Sequence, residues 1–453
     1  MVFSIINKSN LEGAHRLDAE YYQPEYLEVG EKLKSSILLS DVSKKITDFG
    51  AYSQMNFVEF VDKGIRFLRN QDIDEFFIND SDPVYISEEM YGKLSLKLEK
   101  FDIIIPRVGT LGNAAVIFSD NLPSTANQNL AQIKTDQTKL DPIYLAIFLC
   151  SNYGRKQFER AATGNVQPWL NLIQIKGLKI FIPEVPLQEV VKNLALEALK
   201  VFKNSIEFYS QAENLLLKEL GLRDFLVEDD LSFVVNLSDI KSAKRVDADY
   251  FQPKYKNLEF RIMNYGCKRL GDLVSMKKGF EPGSEAYQEE GKLFIRVSSV
   301  SKFGIEDKDQ KYLSDDLYQK LKKDYEPKVG EILLTKDATP GIAYVIKESI
   351  EGIISGGIMR LKVNESIDPE YLALCISSLI GQMQAGRDAG GSIIAHWKPE
   401  QIKNLLIPVL PRETQQKIAE LVRKSHEARK KSKELLEEVK RKVEEMIEKG
   451  VKT

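Results

Sequence analysis

An internal repeat does most to narrow what this chain can fold into. Arg16-Leu-Asp-Ala-Glu-Tyr-Tyr-Gln-Pro-Glu-Tyr26 returns as Arg245-Val-Asp-Ala-Asp-Tyr-Phe-Gln-Pro-Lys-Tyr255, 245 − 16 = 229 residues later. Further pairs follow in the same order. Leu39-Ser-Asp41 matches Leu270-Gly-Asp272, and Phe67-Leu-Arg69 matches Phe294-Ile-Arg296. Tyr85 to Tyr91 matches Tyr312 to Tyr318, Asp141-Pro-Ile-Tyr-Leu-Ala146 matches Asp368-Pro-Glu-Tyr-Leu-Ala373, and Ile182-Pro-Glu-Val-Pro186 matches Ile407-Pro-Val-Leu-Pro411. The 453 residues, too many for one ordinary domain, therefore read as two tandem copies of one unit.

Each copy begins with short β-branched runs separated by polar turns and two short helical stretches. These runs are Asp102 to Pro106 and Ala114 to Phe118 in the first copy, and Glu331 to Thr335 and Ile342 to Ile346 in the second. After Pro186 and Pro411 proline disappears and apolar residues recur at helical spacing. In the second copy Ile418, Val422, Ser425, Arg429, Ser432, Leu436, Val439, Val443 and Met446 form a coiled-coil seam with a polar middle. In the first, Val190, Leu194, Val201, Phe208, Leu215 and Leu216 are the expected counterpart. Two equal units in one chain are expected to pack about a pseudo-twofold axis, as identical subunits do, so the long helices should bury each other antiparallel. About 35 residues at ~1.5 Å each give a rod of roughly 50 Å. The expected fold is α+β: two similar globular domains separated by a long antiparallel two-helix coiled coil, pseudo-twofold symmetric. The expected divisions are residues 1–186 and 223–411 for the heads, and 187–222 and 412–450 for the helices.

Composition and motifs exclude several classes. With 43% hydrophobic and 29% charged residues the chain is a soluble folded protein, and no apolar run approaches the ~20 residues that cross a bilayer. The start, Met1 to Asn10, lacks a secretory pattern, so a cytoplasmic location and no membrane partner are expected. Cys150, Cys267 and Cys375 are odd in number and far apart, which argues against disulfides and structural zinc. No phosphate-binding Gly-Lys-Ser/Thr loop occurs. Asp141-Pro-Ile-Tyr144 and Asp368-Pro-Glu-Tyr371 resemble an adenine methyltransferase motif, but each reads better as an Asp N-cap with Pro at the first helical position. His15, His396 and His426 are too scattered in sequence for a metal cluster, and His426 reads as a solvated helix residue. Glu438-Val-Lys440 matches the tail of a nuclease motif only through its charged coil. No catalytic residue, metal or cofactor is expected. The net charge of −3 leaves local basic patches open.

The informative residues lie in polar loops. Arg66 and Arg69-Asn70-Gln71 follow a short strand, and Arg296, Ser298 and Ser299 take the matching place. Arg suits guanine, and Asn or Gln suits adenine, through paired hydrogen bonds in the major groove; a strand-end salt bridge is the alternative for Arg69 and Arg296. Arg107, Thr110 and Asn113 lie in a glycine-bearing loop, as do Lys336 and Thr339, where exposed amides and a cation can hold phosphate. A plain hairpin turn is the alternative. A third set, Asn165, Gln167 and Trp169 against Ser392, Trp397 and Lys398, precedes the last strand of each head; buried core is the alternative for both Trp residues. Asn127 and Gln128 lie in a loop whose counterpart is Ser355-Gly-Gly357. Divergence concentrated in polar loops over a repeated scaffold suits heads that recognise different targets.

These residues resemble the specificity subunits of type I DNA restriction-modification enzymes. The likeness spans nearly the whole chain. It rests on two heads each ending in Ile-Pro-x-x-Pro, then on Gln188-Glu189 or Glu413-Thr-Gln415-Gln416-Lys-Ile-Ala419 opening a long helix. The resemblance implies that the heads are target recognition domains for double-stranded DNA. It further implies that the antiparallel helices set the half-site spacing and dock two DNA adenine methyltransferase subunits, with restriction/translocase subunits as a further partner. It carries over no catalytic residue and no cofactor. Heads that differ imply an asymmetric, split target about one turn of B-DNA (~34 Å) apart or a little more. A two-headed protein-interaction adaptor is the second reading, and a self-sufficient DNA enzyme the third.

Overall fold

The computed structural model describes residues 4–9, 11, 16–50, 57–80, 82–164, 167–225, 228–306, 310–390 and 395–450. It forms two compact units, Met1–Val201 with Lys431–Thr453, and Phe202–Lys430. Both long helices are therefore divided: Val185–Glu219 and Arg412–Glu448 each contribute one part to either unit.

In unit 1 a four-stranded antiparallel sheet has the order Ser43–Asp48, Leu130–Thr135, Ile103–Pro106, Ala115–Val116. The run Ile103-Ile104-Ile105 is buried on both faces, which explains its unbroken β-branched composition. A second sheet, Phe60–Val61, Val84–Ile86, Ile65–Leu68, Ser124–Ala126, closes with a parallel pair. Phe49, Leu68, Ile73, Ile104 and Leu130 share one core with both sheets. In unit 2 the corresponding sheets are Val274–Lys278, Ile358–Val363, Ile332–Thr335, Ala343–Val345, and Lys311–Leu313, Lys292–Ile295, Gly352–Ile354. The second head has a hairpin, Val300–Ser301 with Gly304–Ile305, where the first head keeps a single antiparallel bridge, Ile73 with Ile78. Helix and strand are mixed in both heads, and the four β-branched runs hold the strands Ile103–Pro106, Ala115–Val116, Ile332–Thr335 and Ala343–Val345.

The words shared by the two copies turn out to be joints. Asp141 caps Pro142–Cys150, accepting from the amides of Ile143 (2.8 Å) and Tyr144 (3.3 Å). Asp368 does the same for Pro369–Ser377 through Glu370 (2.9 Å) and Tyr371 (3.5 Å). Cap and first-turn proline thus account for both Asp-Pro motifs. A buried glutamine from the following long helix locks each cap. Gln188 accepts from the Asp141 amide (3.2 Å) and donates to the Pro183 carbonyl (2.9 Å). Gln415 accepts from the Asp368 amide (3.1 Å) and donates to the Leu410 carbonyl (2.8 Å). The tyrosines donate to Phe181 (2.9 Å) and Pro408 (2.8 Å) carbonyls. At the other end of the repeat Arg16 chelates Asp18 and lies over the Tyr21 ring, while Arg245 chelates Asp247 and lies over Tyr250.

The seam of the first long helix differs from the sequence expectation. Its buried positions are Gln188, Val191, Ala195, Ala198, Phe202, Ser205, Tyr209, Ala212, Leu216 and Leu220, stepping by three or four. Of the expected residues only Leu216 is on this line, and Val190 is 44% exposed. Small residues at 195, 198, 205 and 212 make the seam, and a search for large apolar side chains passes over them. Adding 227 to each number gives 415, 418, 422, 425, 429, 432, 436, 439, 443 and 447, which is the seam of the second helix; all but Arg429 are buried. Met446 yields its place there to Ile447. In unit 2 the two helix segments run antiparallel: Ser425 donates to the Ser205 carbonyl (2.6 Å), and Arg429 lies over the Phe202 ring (5.0 Å). In unit 1 Ser432 donates to the Ala198 carbonyl (2.8 Å).

His426 is the other correction. Its side chain is 9% exposed, not solvated, and Nε2 donates to the Lys302 carbonyl at 3.2 Å. Burial, reinforced by the Lys347 and Arg429 charges, pushes its pKa down to about 4 despite that hydrogen bond. Among the described residues no group of three or more His, Cys, Asp or Glu is placed to hold a metal ion. None of the described helices is long and apolar enough to cross a membrane.

Candidate nucleic-acid interface

Backbone hydrogen bonds bring the four predicted loops of the first head to one place. The Arg107 amide donates to Asn129 (2.8 Å), the Leu170 amide to Arg107 (2.8 Å), the Gly109 amide to Pro168 (3.0 Å) and the Asn127 amide to Leu68 (3.0 Å). The Asn70 side chain donates to the Val108 carbonyl (2.8 Å), tying the strand-end loop to the glycine loop. The second head repeats the pattern: Lys336 donates to Gly357 (2.9 Å), Trp397 to Lys336 (2.8 Å), Ala338 to Ala395 (2.9 Å) and Ser355 to Ile295 (2.8 Å). Gly109 has φ +80°, and Ala338 takes the same turn with φ +59°, a conformation that costs a non-glycine residue roughly 1–2 kcal/mol.

The cations in these loops hold the scaffold together. Arg66, 11% exposed, pairs with Asp80 (3.2 Å) and Asp72 (3.5 Å), and Arg69 pairs with Asp72 and Asp82 (both 3.1 Å). The salt-bridge alternative therefore describes Arg69, and the base-reading expectation for Arg66 meets a guanidinium already committed to two carboxylates. Arg107 pairs with Asp48 (2.6 Å) and donates to the Leu170 (3.1 Å) and Gln128 (3.5 Å) carbonyls. Lys336 is buried and pairs with Asp337 (2.6 Å). Both differ from the expected free phosphate contacts because an acidic residue, distant in sequence for Arg107 and adjacent for Lys336, reaches them. Arg296 stands half-buried at the strand end. Asn113 donates to the Ile73 carbonyl (2.9 Å), and Asn127 accepts from the Asn129 amide (3.1 Å). Gln128 is half-buried and Ser299 buried. Asn165 and Ser392 lie outside the described residues.

What remains outward is a small matched set. Gln71, Thr110, Gln167 and Trp169 are exposed in the first head, and Ser298, Thr339 and Lys398 in the second. The structure also corrects the pairing of the tryptophans. Trp169 bridges to Val108 and Thr163, and the residue that bridges to Asp337 and Gly390 in the same way is His396. Trp169 is 43% exposed and the His396 side chain 61%. Trp397 is 1% exposed and aligns with Leu170 at 0%, so it is core, the alternative weighed for it. Identity of residue type suggested a Trp–Trp match one position out of register. His396 is thus the surface residue that the sequence reading missed, together with Asn171, whose amide and side chain cap Leu172–Lys176 where Lys398 precedes Pro399–Lys403. His396 Nδ1 lies 2.9 Å from Asp337, which also accepts from Lys336. Burial alone would raise the Asp337 carboxyl; the Lys336 and His396 hydrogen bonds outweigh it and hold it below the usual range.

The arrangement offers polar and aromatic side chains on a backbone braced by ion pairs, and it contains no nucleophile–base pair among the residues named. Among solved structures, the chain is similar to a type I restriction-modification S subunit from M. genitalium, at 14% identity over 90% of this chain and 95% of that one, with TM-score 0.40. It is also similar to the HsdS subunit from Thermoanaerobacter tengcongensis, at 14% identity over 92% and 96%, TM-score 0.29. Likeness to the type IIG restriction endonuclease BpuSI covers 46% of this chain and 35% of that one at 13% identity, TM-score 0.31. The family model described as "Type I restriction modification DNA specificity domain" matches residues 264–441. That stretch holds the second set of converging loops and most of the last long helix.

Proposed function

We propose that the chain is the DNA-specificity subunit of a type I restriction-modification complex, a non-catalytic reader of an asymmetric bipartite target. One observation carries this reading: at two matched places in two copies of one braced scaffold, the outward side chains differ, although Thr110 and Thr339 keep a third the same. Gln71 stands opposite Ser298 in the repeat, and Trp169 opposite His396. Gln and Ser present different donor and acceptor sets to a base edge, and Trp and His differ in size and polarity. Two heads so equipped would read two different half-sites. The antiparallel helices, acting as a rod of roughly 50 Å, would fix the spacing of the half-sites and dock two adenine methyltransferase subunits, with restriction/translocase subunits joining that complex. A nearly neutral reader is workable where partner subunits supply basic surface to the duplex.

The test is selection from a random duplex pool by the chain together with its methyltransferase partner. Enrichment of two unlike half-sites at fixed spacing supports the reading. A pool left without any bipartite enrichment would instead favour the protein-interaction adaptor.

A further inference from the structure

We propose that the two copies are coded by charge to pair with each other and to reject a second copy of themselves. Three contacts carry the inference: the first two are related to each other by the helix offset of 227, and the third joins two positions so related. In unit 1 Glu75, in the first head, pairs with Lys440 of the second long helix at 2.6 Å. In unit 2 Lys302, in the second head, pairs with Glu213 of the first long helix at 3.8 Å. Since 302 − 75 = 227 and 440 − 213 = 227, this is one structural contact made twice with its signs exchanged. The third contact is between the helices. Phe202 and Arg429 (429 − 202 = 227) occupy the same position of the repeat and lie against each other, the guanidinium 5.0 Å from the ring centroid.

Pairing of like copies would spoil all three. Two first copies would set Glu75 against Glu213 twice. Two second copies would set Lys302 against Lys440 twice and Arg429 against Arg429. The apolar part of the seam does not discriminate, because Ile418, Val422, Val439 and Val443 repeat Val191, Ala195, Ala212 and Leu216 in kind. Like-charge opposition at half-buried positions is a device for specificity: Lys440 is 10% exposed, Glu75 30%, Glu213 32% and Lys302 33%. Arg155 adds a second cation to Glu75, and Glu437 a second carboxylate to Lys440 (2.7 Å). Arg155 matches Gln382 (382 − 155 = 227) in the other copy, so the first head is the more strongly polarised of the two. The inference concerns self-pairing and holds whatever the heads bind.

The experiment uses the full chain, refolded from denaturant so that pairing is chosen afresh, with mass measured by light scattering after size exclusion. The variant E213K/K440E reverses the helix charges, so native contacts become repulsive and like-copy contacts between chains attractive. It should show about a tenfold higher dimer-to-monomer ratio than the unchanged chain at low ionic strength, shrinking at about 1 M salt, where screening acts within ~3 Å. The variant E75K/R155Q/E213K/K302E/K440E reverses every sign, gives residue 155 the type of its counterpart, and should return to the ratio of the unchanged chain. An unaltered ratio in E213K/K440E overturns the proposal. If that variant fails to fold, the fully reversed chain decides: monomeric and equally heat-stable supports the coding, and misfolded or dimeric overturns it.

Discussion

Trp169 and His396 hold one place in the repeat with different chemistry, while Leu170 and Trp397 hold the neighbouring buried place. The consequences for substitution separate cleanly. Trp397→Ala removes a core side chain and should cost about 3–5 kcal/mol in denaturant unfolding. Trp169→Ala should change stability by no more than about 0.5–1 kcal/mol yet weaken duplex binding about tenfold. A stability loss for Trp169→Ala equal to that of Trp397→Ala would contradict the register. Arg107 is a brace, and Arg107→Ala strands Asp48 and two carbonyls. It should lower the midpoint of thermal unfolding by several degrees, and weaken binding only through that loss; a purely electrostatic defect with unchanged melting would be evidence against the brace. The sequence marks the loops that the structure brings together, because polar and glycine residues cluster there. It does not show which of their cations are occupied, since Asp48 is 107 − 48 = 59 residues from Arg107 and nothing local predicts the encounter. Nor does it distinguish Trp169 from Trp397, because both follow glycine-bearing loops and a one-residue difference in register moves a side chain from surface to core.

The helices and their joints are more legible than the loops. Asp-Pro at 141 and 368 is a start signal whose physics is local, so it holds in the structure. Gln188 and Gln415 are visible as repeated residues, but their work is tertiary: each satisfies a buried amide and a buried carbonyl at once. Gln188→Ala or Gln415→Ala should cost about 2–4 kcal/mol, from two groups left without partners, and the two variants should lose similar amounts in parallel unfolding curves. The first helix's seam is hidden from a search for large apolar residues because Ala and Ser form four of its ten positions; shifting the second helix's pattern by 227 positions recovers it. His426 shows where a helical wheel fails, because the head packs over it. With its pKa near 6.5 when unfolded and about 4 when folded, the unfolded chain binds the proton first. The contribution of neutral His426 is thus complete above about pH 6.5 and is lost as pH falls toward 4, worth ~3 kcal/mol at most. His426→Leu should flatten that part of the stability profile; an unchanged acid limb between pH 6.5 and 4 would contradict the buried, neutral imidazole.

At the scale of the whole molecule the duplication is what sequence reveals best, since seven of the eleven residues from Arg16 to Tyr26 recur unchanged and in order from Arg245 to Tyr255. What it conceals is how the copies are shared out. Each compact unit takes a head from one copy and the end of the long helix from the other, so stability and pairing are properties of both copies together. Contacts such as Asn152 to Glu444 (2.7 Å) in unit 1 and Arg261 to Gly221 (3.1 Å) in unit 2 fasten each head to the other copy's helix end. A change in one copy's helix should therefore destabilise the other copy's head. The central claim is that matched outward residues on the two heads read different half-sites. Its most direct measurement is duplex selection by the complex of chain and methyltransferase, before and after exchanging Gln71→Ser and Trp169→His, which give the first head two residues of the second. The account predicts that one half of the selected motif changes while the other half and their spacing stay as they were. An unchanged motif with undiminished binding, or both halves changing together, would contradict it.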